Sequence, residues 1–308
     1  MAVTAITEVV AMKVFVTGAS GGIGSRLVPE LIAGGHEVLG LARSDAAARK
    51  VATAGARVLR GDFTDPETLR AGAVEVDAVI HVAFNHGTDM AQSVADEAMA
   101  VETFGAALDG TGKALLIASG TPIVPGRLAT EEDSPLATDP LAGSPLGRRG
   151  RTAEYTLALA EKDVRSVVVR LPRSVHSRGH RYGLASALIA TARRTGVSGY
   201  VGDGAQRWPA VHHLDAVRLF RLALEDAEPG TVVHAVADEG DPMRALAETI
   251  GRQLDVPAVS VPAEHFGPAG AVYALDQPAS GELTRKKFGW QPAQPTLLDD
   301  LAAGNYPE

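Results

Sequence analysis

The chain has 308 residues, with 29 Lys or Arg against 37 Asp or Glu and a formal net charge of −8. This acidic balance argues against nucleic acid as a partner. The absence of cysteine excludes disulfides and cysteine-ligated metals, and no apolar run approaches the length of a membrane span. We therefore expect a cytoplasmic protein with a large core and no membrane partner. The flexible leader predicted at 1–11 lacks the basic region of a signal peptide.

The first ordered element is predicted between Val14 and Gly24, where the chain reads Val-Phe-Val-Thr-Gly-Ala-Ser-Gly-Gly-Ile-Gly. An apolar β-branched run predicts a strand, the glycines predict a tight turn, and a helical pattern follows over about 22–33. Gly18 permits a backbone angle that a Cβ would forbid. Gly21 lets the main chain approach a phosphate, and Gly24 lets the helix pack tightly on the strand. Because the helix N-terminus then faces the anion, the pattern predicts a dinucleotide site.

Apolar runs and helical patterns continue to alternate along the chain, which is typical of a parallel sheet covered on both faces. Asp65 is predicted to cap a helix that begins with Pro66. Further strands are predicted at 36–42, 57–60, 78–83, 114–118, 166–171 and 231–237, and helices at about 90–108 and 153–162. The sequence thus predicts an α/β fold, a Rossmann-type doubly wound parallel sheet of about seven strands.

Proline and glycine become frequent between the sixth and seventh strands and again after Val256, where the alternation breaks down. We interpret these parts as a small irregular C-terminal lobe for the substrate. The predicted dinucleotide-binding domain is 12–172 with 205–240, and the predicted lobe is 173–204 with 241–308.

The end of the second predicted strand bears on the choice of cofactor. An NAD site usually places an acidic residue there to hold the ribose hydroxyls, whereas this chain has Ala42 followed by Arg43 and Ser44. A guanidinium offers forked donors and a permanent charge that suit a 2′-phosphate. We therefore predict NADP(H) rather than NAD(H), although Arg43 can also simply solvate a strand end. Asp62 either bonds the adenine amine or serves as a turn or cap residue.

Taken together, these motifs resemble the short-chain dehydrogenase/reductase family, in its extended, epimerase-like branch. The match runs in the family's order from about Met12 to Leu301. The matching pieces are Thr17–Gly24, Gly61-Asp62, Asp77–Ala83, Ile117–Gly120, Arg170–Pro172, Gly202–Gly204, Val211-His212 and Phe288–Pro292.

The resemblance implies roles for several residues. Ser119 matches the active-site serine, Ala83 lies near the nicotinamide ribose, and Pro172 begins the loop beside the nicotinamide. The cofactor contacts predicted in this way are Gly18, Ser20, Gly21, Gly22, Ile23, Gly24, Arg43, Ser44, Asp62, Phe63, Val82, Ala83, Ser119 and Pro172.

The chain departs from this family at the Tyr-x-x-x-Lys pair, in which the Tyr moves the proton and the Lys lowers its pKa. Tyr155 has no lysine four residues later and falls too close to the sixth strand. An alignment on Glu154 puts the Tyr position at Leu146 and the Lys position at Gly150, and neither residue can move a proton. The chain therefore resembles atypical members that keep the cofactor site without this pair.

Three functions fit this pattern. The first is an NADP(H)-dependent reductase of a small molecule whose C=N or C=O group needs little help from an acid, as an iminium does. The second is a carbonyl reductase or epimerase with a replacement acid, chosen from His81, His86, His176, Tyr200 and His212. His176 and Tyr200 are favoured because the resemblance places them in the substrate lobe. The third is a non-catalytic dinucleotide-binding sensor.

Three arginines, Arg148, Arg149 and Arg151, surround the position of the missing lysine. They either contact the cofactor or an anionic substrate, or form a solvated helix face. The histidines show no spacing with carboxylates that predicts a metal site. The resemblance also implies a homodimer through the helices at 90–108 and 153–162.

Overall fold

The computed structural model describes residues 10–85, 89–179 and 183–304. Its strands are β1 (Lys13–Thr17), β2 (Glu37–Ala42), β3 (Arg57–Arg60), β4 (Ala78–His81), β5 (Ala114–Gly120), β6 (Arg165–Leu171), β7 (Ser174–His176), β8 (Ser198–Val201), β9 (Arg207–His212), β10 (Thr231–His234), β11 (Asp238–Pro242) and β12 (Ala258–Val261). Its α-helices are α1 (Gly24–Ala33), α2 (Asp45–Thr53), α3 (Pro66–Val74), α4 (Met90–Leu108), α5 (Pro135–Thr138), α6 (Arg149–Ala158), α7 (Leu184–Thr195), α8 (His213–Asp226), α9 (Met243–Leu254), α10 (Gly270–Tyr273), α11 (Glu282–Phe288) and α12 (Leu297–Ala302).

Seven strands form the main sheet, in the order β10-β6-β5-β4-β1-β2-β3. β1 pairs in parallel with β2 on one side and with β4 on the other, so that Val14 lies opposite both Val38 and Ala78. The chain order reverses between β1 and β4, and in open α/β sheets a ligand binds at the carboxyl ends of the strands at such a switch point. The predicted Rossmann-type α/β fold is confirmed.

The described chain divides into two compact units. The first comprises the described parts of Met1–Ile117, Glu154–Val168 and Phe220–Thr231. The second comprises those of Ala118–Ala153, Val169–Leu219 and Val232–Glu308. The domain boundaries predicted from the sequence stay a prediction.

The core of the first unit is built on β1, whose residues Val14, Phe15 and Val16 are fully buried. Phe15 meets Phe104 of α4 edge-on, with ring centroids 6.1 Å apart. Burial on both faces explains why β1 is a continuous apolar run rather than an alternating one.

The second unit contains two small sheets. β9 lies between β7, which is parallel to it, and β11, which is antiparallel, while β8 pairs in parallel with β12. The helices α7, α9 and α12 supply much of a common apolar core. In that core Trp208 stacks on Tyr273 at 5.4 Å, and the indole N–H of Trp208 donates to the Leu275 carbonyl at 3.1 Å.

Several predicted elements are confirmed and others end elsewhere. β3 and α4 have the predicted bounds, and the Asp65 carboxylate caps α3 ahead of Pro66. The seventh strand was predicted to reach Ala237, but β10 ends at His234. The chain leaves the main sheet at this point, because the N–H of Ala237 donates to the carbonyl of Ala210 in β9, which belongs to a different sheet.

The buried residue Arg170 holds the carboxyl-terminal end of β6 in place. One Nη of Arg170 donates to the Asp133 carbonyl at 2.8 Å and lies 3.3 Å from Nε2 of His234. The other ring nitrogen of His234 donates to the Ser280 carbonyl at 2.8 Å, which leaves Nε2 as the acceptor. Burial first, and then the charge of Arg170, lower the pKa of His234 to about 3.

We expect His234→Gln to make the protein less sensitive to acid. Below pH 6.5 the unfolded chain protonates this histidine and the folded chain does not, so its contribution to stability is complete above 6.5 and falls as the pH drops toward 3. Between pH 7 and 5 the wild type should lose about 2 kcal/mol relative to the variant.

Urea denaturation at both pH values measures this difference. Asp241 acts in the opposite direction, because burial and its acidic neighbours raise its pKa to about 6, so only the comparison between the two proteins isolates His234. Equal pH dependence in wild type and variant would contradict the assigned role.

Within the described ranges, no helix is long and apolar enough to cross a membrane.

Candidate functional site

The glycine turn joins β1 to α1. Gly18 has a φ of +69°, and the N–H of Gly21 closes the turn on the Gly18 carbonyl at 2.9 Å. A Cβ at Gly18 would lie 2.8 Å from the backbone nitrogen of Ala83, and a Cβ at Gly24 would collide with the Gly18 carbonyl. The turn therefore needs glycine both for its backbone angle and for the close approach of three chain segments.

This turn leaves backbone donors at the start of α1. In the described part of the chain, the N–H groups of Gly22, Ile23 and Gly24 have no protein acceptor, and the helix has no side-chain cap. No acidic residue occupies its first turn. Such a helix N-terminus suits an anion such as a pyrophosphate. These residues fit the phosphates of a dinucleotide.

The carboxyl end of β4 lies beside the turn. Val82 and Ala83 follow β4 and pack against Gly18. Their contact with a cofactor stays a prediction. His81 lies deeper, where its Nδ1 is 2.8 Å from the Thr17 hydroxyl and its ring is 6.1 Å from that of Phe63. His81 is 1% exposed and therefore belongs to the buried interior of the first unit.

The end of β2 presents Arg43 to solvent. Its side chain is 71% exposed, and one Nη lies 3.9 Å from an oxygen of Asp62. The other oxygen of Asp62 accepts hydrogen bonds from the backbone N–H and the hydroxyl of Thr64. Asp62 therefore serves as a turn residue, one of the two roles that the sequence suggested for it. Ser44 caps α2 by accepting from the N–H of Ala47 at 3.2 Å. Sequence reasoning did not identify this helix.

In the second unit, Ser119 lies near the end of β5 and is 7% exposed. The carbonyl of the preceding residue, Ala118, accepts a hydrogen bond from Nη2 of Arg149 at 3.1 Å. Pro172 follows β6, and the N–H of Thr121 donates to the Leu171 carbonyl at 3.0 Å. Hydrogen bonds thus join the chain after β5 to the end of β6.

Leu146 and Gly150, which the sequence alignment predicts at the family's Tyr and Lys positions, differ in their packing. Leu146 belongs to a short 3₁₀ turn, and Gly150 is buried in α6. A Cβ at Gly150 would lie 3.1 Å from the side chain of Leu136 and 3.2 Å from Pro135. A longer side chain there requires these neighbours to shift.

Tyr155 lies on the part of α6 that belongs to the first unit and packs against α4. A Cβ at Gly105 would lie 2.7 Å from its hydroxyl. Burial raises the pKa of Tyr155, and the nearby charges of Glu102 and Asp109 add to the rise. A phenol in these surroundings keeps its proton.

His176 has a partner that the sequence did not reveal. Its Nδ1 lies 2.7 Å from Oδ2 of Asp300 in α12, and both side chains are almost fully buried. The ring stands edge-on to that of His212 at 5.4 Å, and its Nε2 has no partner among the described residues. The 124 residues between His176 and Asp300 leave no local spacing that could have signalled this pair.

The predicted catalytic residues are not joined to one another. Tyr200 lies on β8 with the guanidinium of Arg244 5.7 Å from its ring centre. Within the described ranges, no hydrogen bond, ion pair or ring contact links Ser119, His176 and Tyr200. His86 lies outside the described residues. Likewise, no group of His, Asp or Glu in the described part could hold a metal ion.

Comparisons with known proteins show the family of this chain. Residues 14–237 match the NAD dependent epimerase/dehydratase family, and the chain belongs to that family. It is therefore an enzyme of the oxidoreductase and epimerase type, in a family that depends on a nicotinamide dinucleotide.

Individual relatives cover nearly the whole chain. An uncharacterized protein of Saccharomyces cerevisiae is 42% identical over 96% of this chain and 99% of its own. 2′-Dehydrokanamycin reductase of Streptomyces kanamyceticus is 26% identical over 96% of this chain and 80% of its own. The structure of a dTDP-glucose 4,6-dehydratase from Streptomyces venezuelae, with NAD bound, matches with a TM-score of 0.76 at 21% identity, covering 95% of each chain. At that identity the structural match supports the fold alone.

Proposed function

We propose that this protein is an NADP(H)-dependent oxidoreductase that reduces a C=N or C=O group of a small molecule. The observation that carries the proposal is the glycine turn together with an exposed arginine, rather than a carboxylate, directly after β2. A similarity to 2′-dehydrokanamycin reductase, a relative named as a reductase, supports the direction of the reaction.

The cofactor preference rests on Arg43. Its guanidinium is exposed and only loosely paired with Asp62 at 3.9 Å, so it is available to a 2′-phosphate. The hydroxyl of Ser44 still has a proton to donate while its oxygen caps α2. With Ala42 at the end of β2, no carboxylate occupies the position that usually binds the ribose hydroxyls of NAD.

When bound, the reduced cofactor would supply a hydride for the carbon of C=N or C=O, and a neutral imine or a carbonyl would also need a proton at its nitrogen or oxygen. An iminium already carries its positive charge and needs no proton before hydride addition. A site with Leu146 and Gly150 at the family's Tyr and Lys positions fits such a substrate. Gly150 packs against Leu136 and Pro135, which further disfavours a lysine there.

A second candidate function is an epimerase-like or carbonyl reductase with a replacement acid, and the His176–Asp300 pair supports it. The buried carboxylate of Asp300 orients the ring, and the free Nε2 of His176 is the nitrogen that would exchange a proton. We expect His176→Ala to reduce turnover far more than Tyr200→Phe if this pair supplies the acid.

Oxidation of NADPH with a panel of cyclic imines and ketones tests the proposed function. Turnover of imines alone favours the first candidate, and turnover of ketones that depends on His176 favours the second. If NADPH binds but neither class is reduced, the result favours a dinucleotide-binding sensor instead.

Tyr155→Phe should leave turnover within a few-fold of wild type on any substrate found in this panel. Its hydroxyl packs beside Gly105 of α4, whereas loss of a true proton donor costs about a hundredfold or more. Ser119→Ala, assayed in parallel, serves as the comparison at the matched active-site serine. A collapse of turnover in Tyr155→Phe, with NADPH binding intact, would show that the alignment of α6 is wrong.

We also propose a homodimer formed through α4 and α6, in the cytoplasm. Tyr155 on α6 is 36% exposed and is one of the few large apolar side chains at the surface of the described chain, which supports a covered face there. Light scattering should give twice the chain mass of 31.9 kDa at micromolar concentrations. A mass that stays at one chain across that range would contradict the dimer.

A further inference from the structure

Arg173 lies between β6 and β7, directly after Pro172, with its side chain only partly exposed. Its Nε donates to Oε1 of Gln277 at 2.6 Å, which is its only hydrogen-bond partner among the described residues. No carboxylate of the described residues lies within 4.0 Å of its guanidinium. The terminal nitrogens of Arg173 therefore have no ion-pair partner in this part of the chain.

Two charged residues act on Arg173 from beyond ion-pair distance. Burial lowers the pKa of its guanidinium most, the charge of Asp139 opposes that effect, and the charge of Arg149 adds to it to a smaller extent than Asp139 opposes it. A second cation is thus close enough to repel the first. An enclosed charge without a partner is unfavourable, so the arrangement suits an anion brought by a ligand.

Gln277 gives an independent sign of a missing ligand. It is 2% exposed. Because Arg173 Nε donates a hydrogen bond, the amide atom that accepts it must be the oxygen Oε1, and this assigns the other amide atom as the nitrogen Nε2. Its Nε2 is buried and has no hydrogen-bond partner among the described residues. Two N–H donors are left beside the guanidinium, and a buried donor without an acceptor costs stability.

The second arginine connects this pair of residues to Ser119. Nη2 of Arg149 donates to the carbonyl of Ala118, the residue before Ser119. Arg149 therefore contacts the residue before the active-site serine of the resemblance, and its charge also acts on Arg173. An anion held by Arg173 is placed close to the region where the reacting group of the substrate is expected.

We infer that Arg173 and Gln277, with Arg149 beside them, bind a carboxylate carried by the substrate. A carboxylate has two coplanar acceptor oxygens, which match the terminal edge of a guanidinium and the neighbouring amide N–H. Its single negative charge neutralises Arg173. The inference rests on the proposed function and deepens it, since the substrate becomes an oxo acid or an imino acid.

Binding and turnover are measured separately. Calorimetry on the protein with NADP⁺ uses three probes, benzoylformate, 2-oxobutanoate and 1-pyrroline-2-carboxylate, each paired with a neutral counterpart (the N-methyl amides of the first two and 2-methyl-1-pyrroline). NADPH oxidation with the same compounds gives kcat/KM. We expect each acid to exceed its neutral counterpart by about a hundredfold in affinity or kcat/KM.

The variants Arg173→Gln and Gln277→Leu should remove this preference while neutral compounds and NADP⁺ bind as before. Arg173→Lys should recover part of it, because the charge returns without the forked donors. Arg207→Gln is the matched control, since Arg207 is already paired with Asp276 at 2.8 Å, and it should keep the preference. Gln277→Leu decides the result if Arg173→Gln does not fold.

Three outcomes overturn the inference: no wild-type preference for any of the acids, equal losses on acids and neutral compounds, or weaker NADP⁺ binding in Arg173→Gln. The last outcome would assign the anion to a cofactor phosphate. If acids bind with NADP⁺ but nothing is reduced, the proposed reduction fails and the carboxylate site stands. If neutral compounds are reduced as well as the acids, the reduction stands and the carboxylate site fails.

Discussion

We expect Gly18→Val to remove detectable binding of NADPH and NADH while leaving most of the fold intact. The new side chain meets the backbone of Ala83 at 2.8 Å, which is closer than a Cβ contact allows, and a φ of +69° strains any β-branched residue. The segments that must move are the turn and the end of β4, which together form the predicted cofactor cradle. We expect a loss of at least a hundredfold in affinity, or about 3 kcal/mol.

Thermal shift and calorimetry with NADPH measure this loss. The matched control is Gly126→Val, because Gly126 has a φ of +82° and nothing within 4 Å of its Cβ position. That variant carries the same kind of backbone strain outside the cradle and should bind NADPH normally. Normal NADPH binding by Gly18→Val would show that the glycine turn is not the cofactor site.

We expect Arg43→Asp to reverse the proposed cofactor preference from NADPH to NADH. The wild-type guanidinium is 71% exposed and offers charge-assisted hydrogen bonds to a 2′-phosphate, each worth about 1.5–3 kcal/mol. An aspartate repels that phosphate and accepts hydrogen bonds from the ribose hydroxyls instead. The ratio of the two dissociation constants should change by about a hundredfold or more, since every 1.4 kcal/mol is tenfold.

Dissociation constants for both cofactors give this ratio directly. Arg57→Asp changes the net charge equally at an exposed residue where β3 begins, the end opposite the strand carboxyl ends that form the site. It should leave the ratio unchanged. Equal melting-temperature increases with NADPH and NADH in the wild type would refute the role of Arg43, whatever the variants do.

Much of the first unit was predictable from local sequence. The bounds of β3 and α4, and the cap of α3 at Asp65, follow from apolar periodicity and from the preference of carboxylates for free helix N–H groups. The glycine turn was equally clear, because Gly18 and Gly24 are demanded by a backbone angle and a close approach. The backbone angle of Gly18 and the approach of Gly24 to the Gly18 carbonyl depend on sterics within a few residues, so the sequence displays them directly.

α2 shows where local reasoning stopped. α2 has only one buried residue, Val51, so no apolar stripe in the sequence indicates this helix. Its cap at Ser44 follows directly on Arg43, and both residues were assigned to the cofactor from the sequence. β10 ends at His234 because the residues that follow it pair with β9 of another sheet. An apolar run in the sequence does not show with which strand its residues pair.

The sequence by itself determined the α/β class, the parallel sheet and the dinucleotide turn. Only the tertiary structure decided which distant side chains meet: His176 with Asp300 across 124 residues, and Arg173 with Gln277 across 104. Local elements are encoded by sterics and by the period of burial along the chain. Pairings between distant residues depend on how strands and helices assemble, and neither Gln277 nor Asp300 carries a signal of its partner in its own neighbourhood.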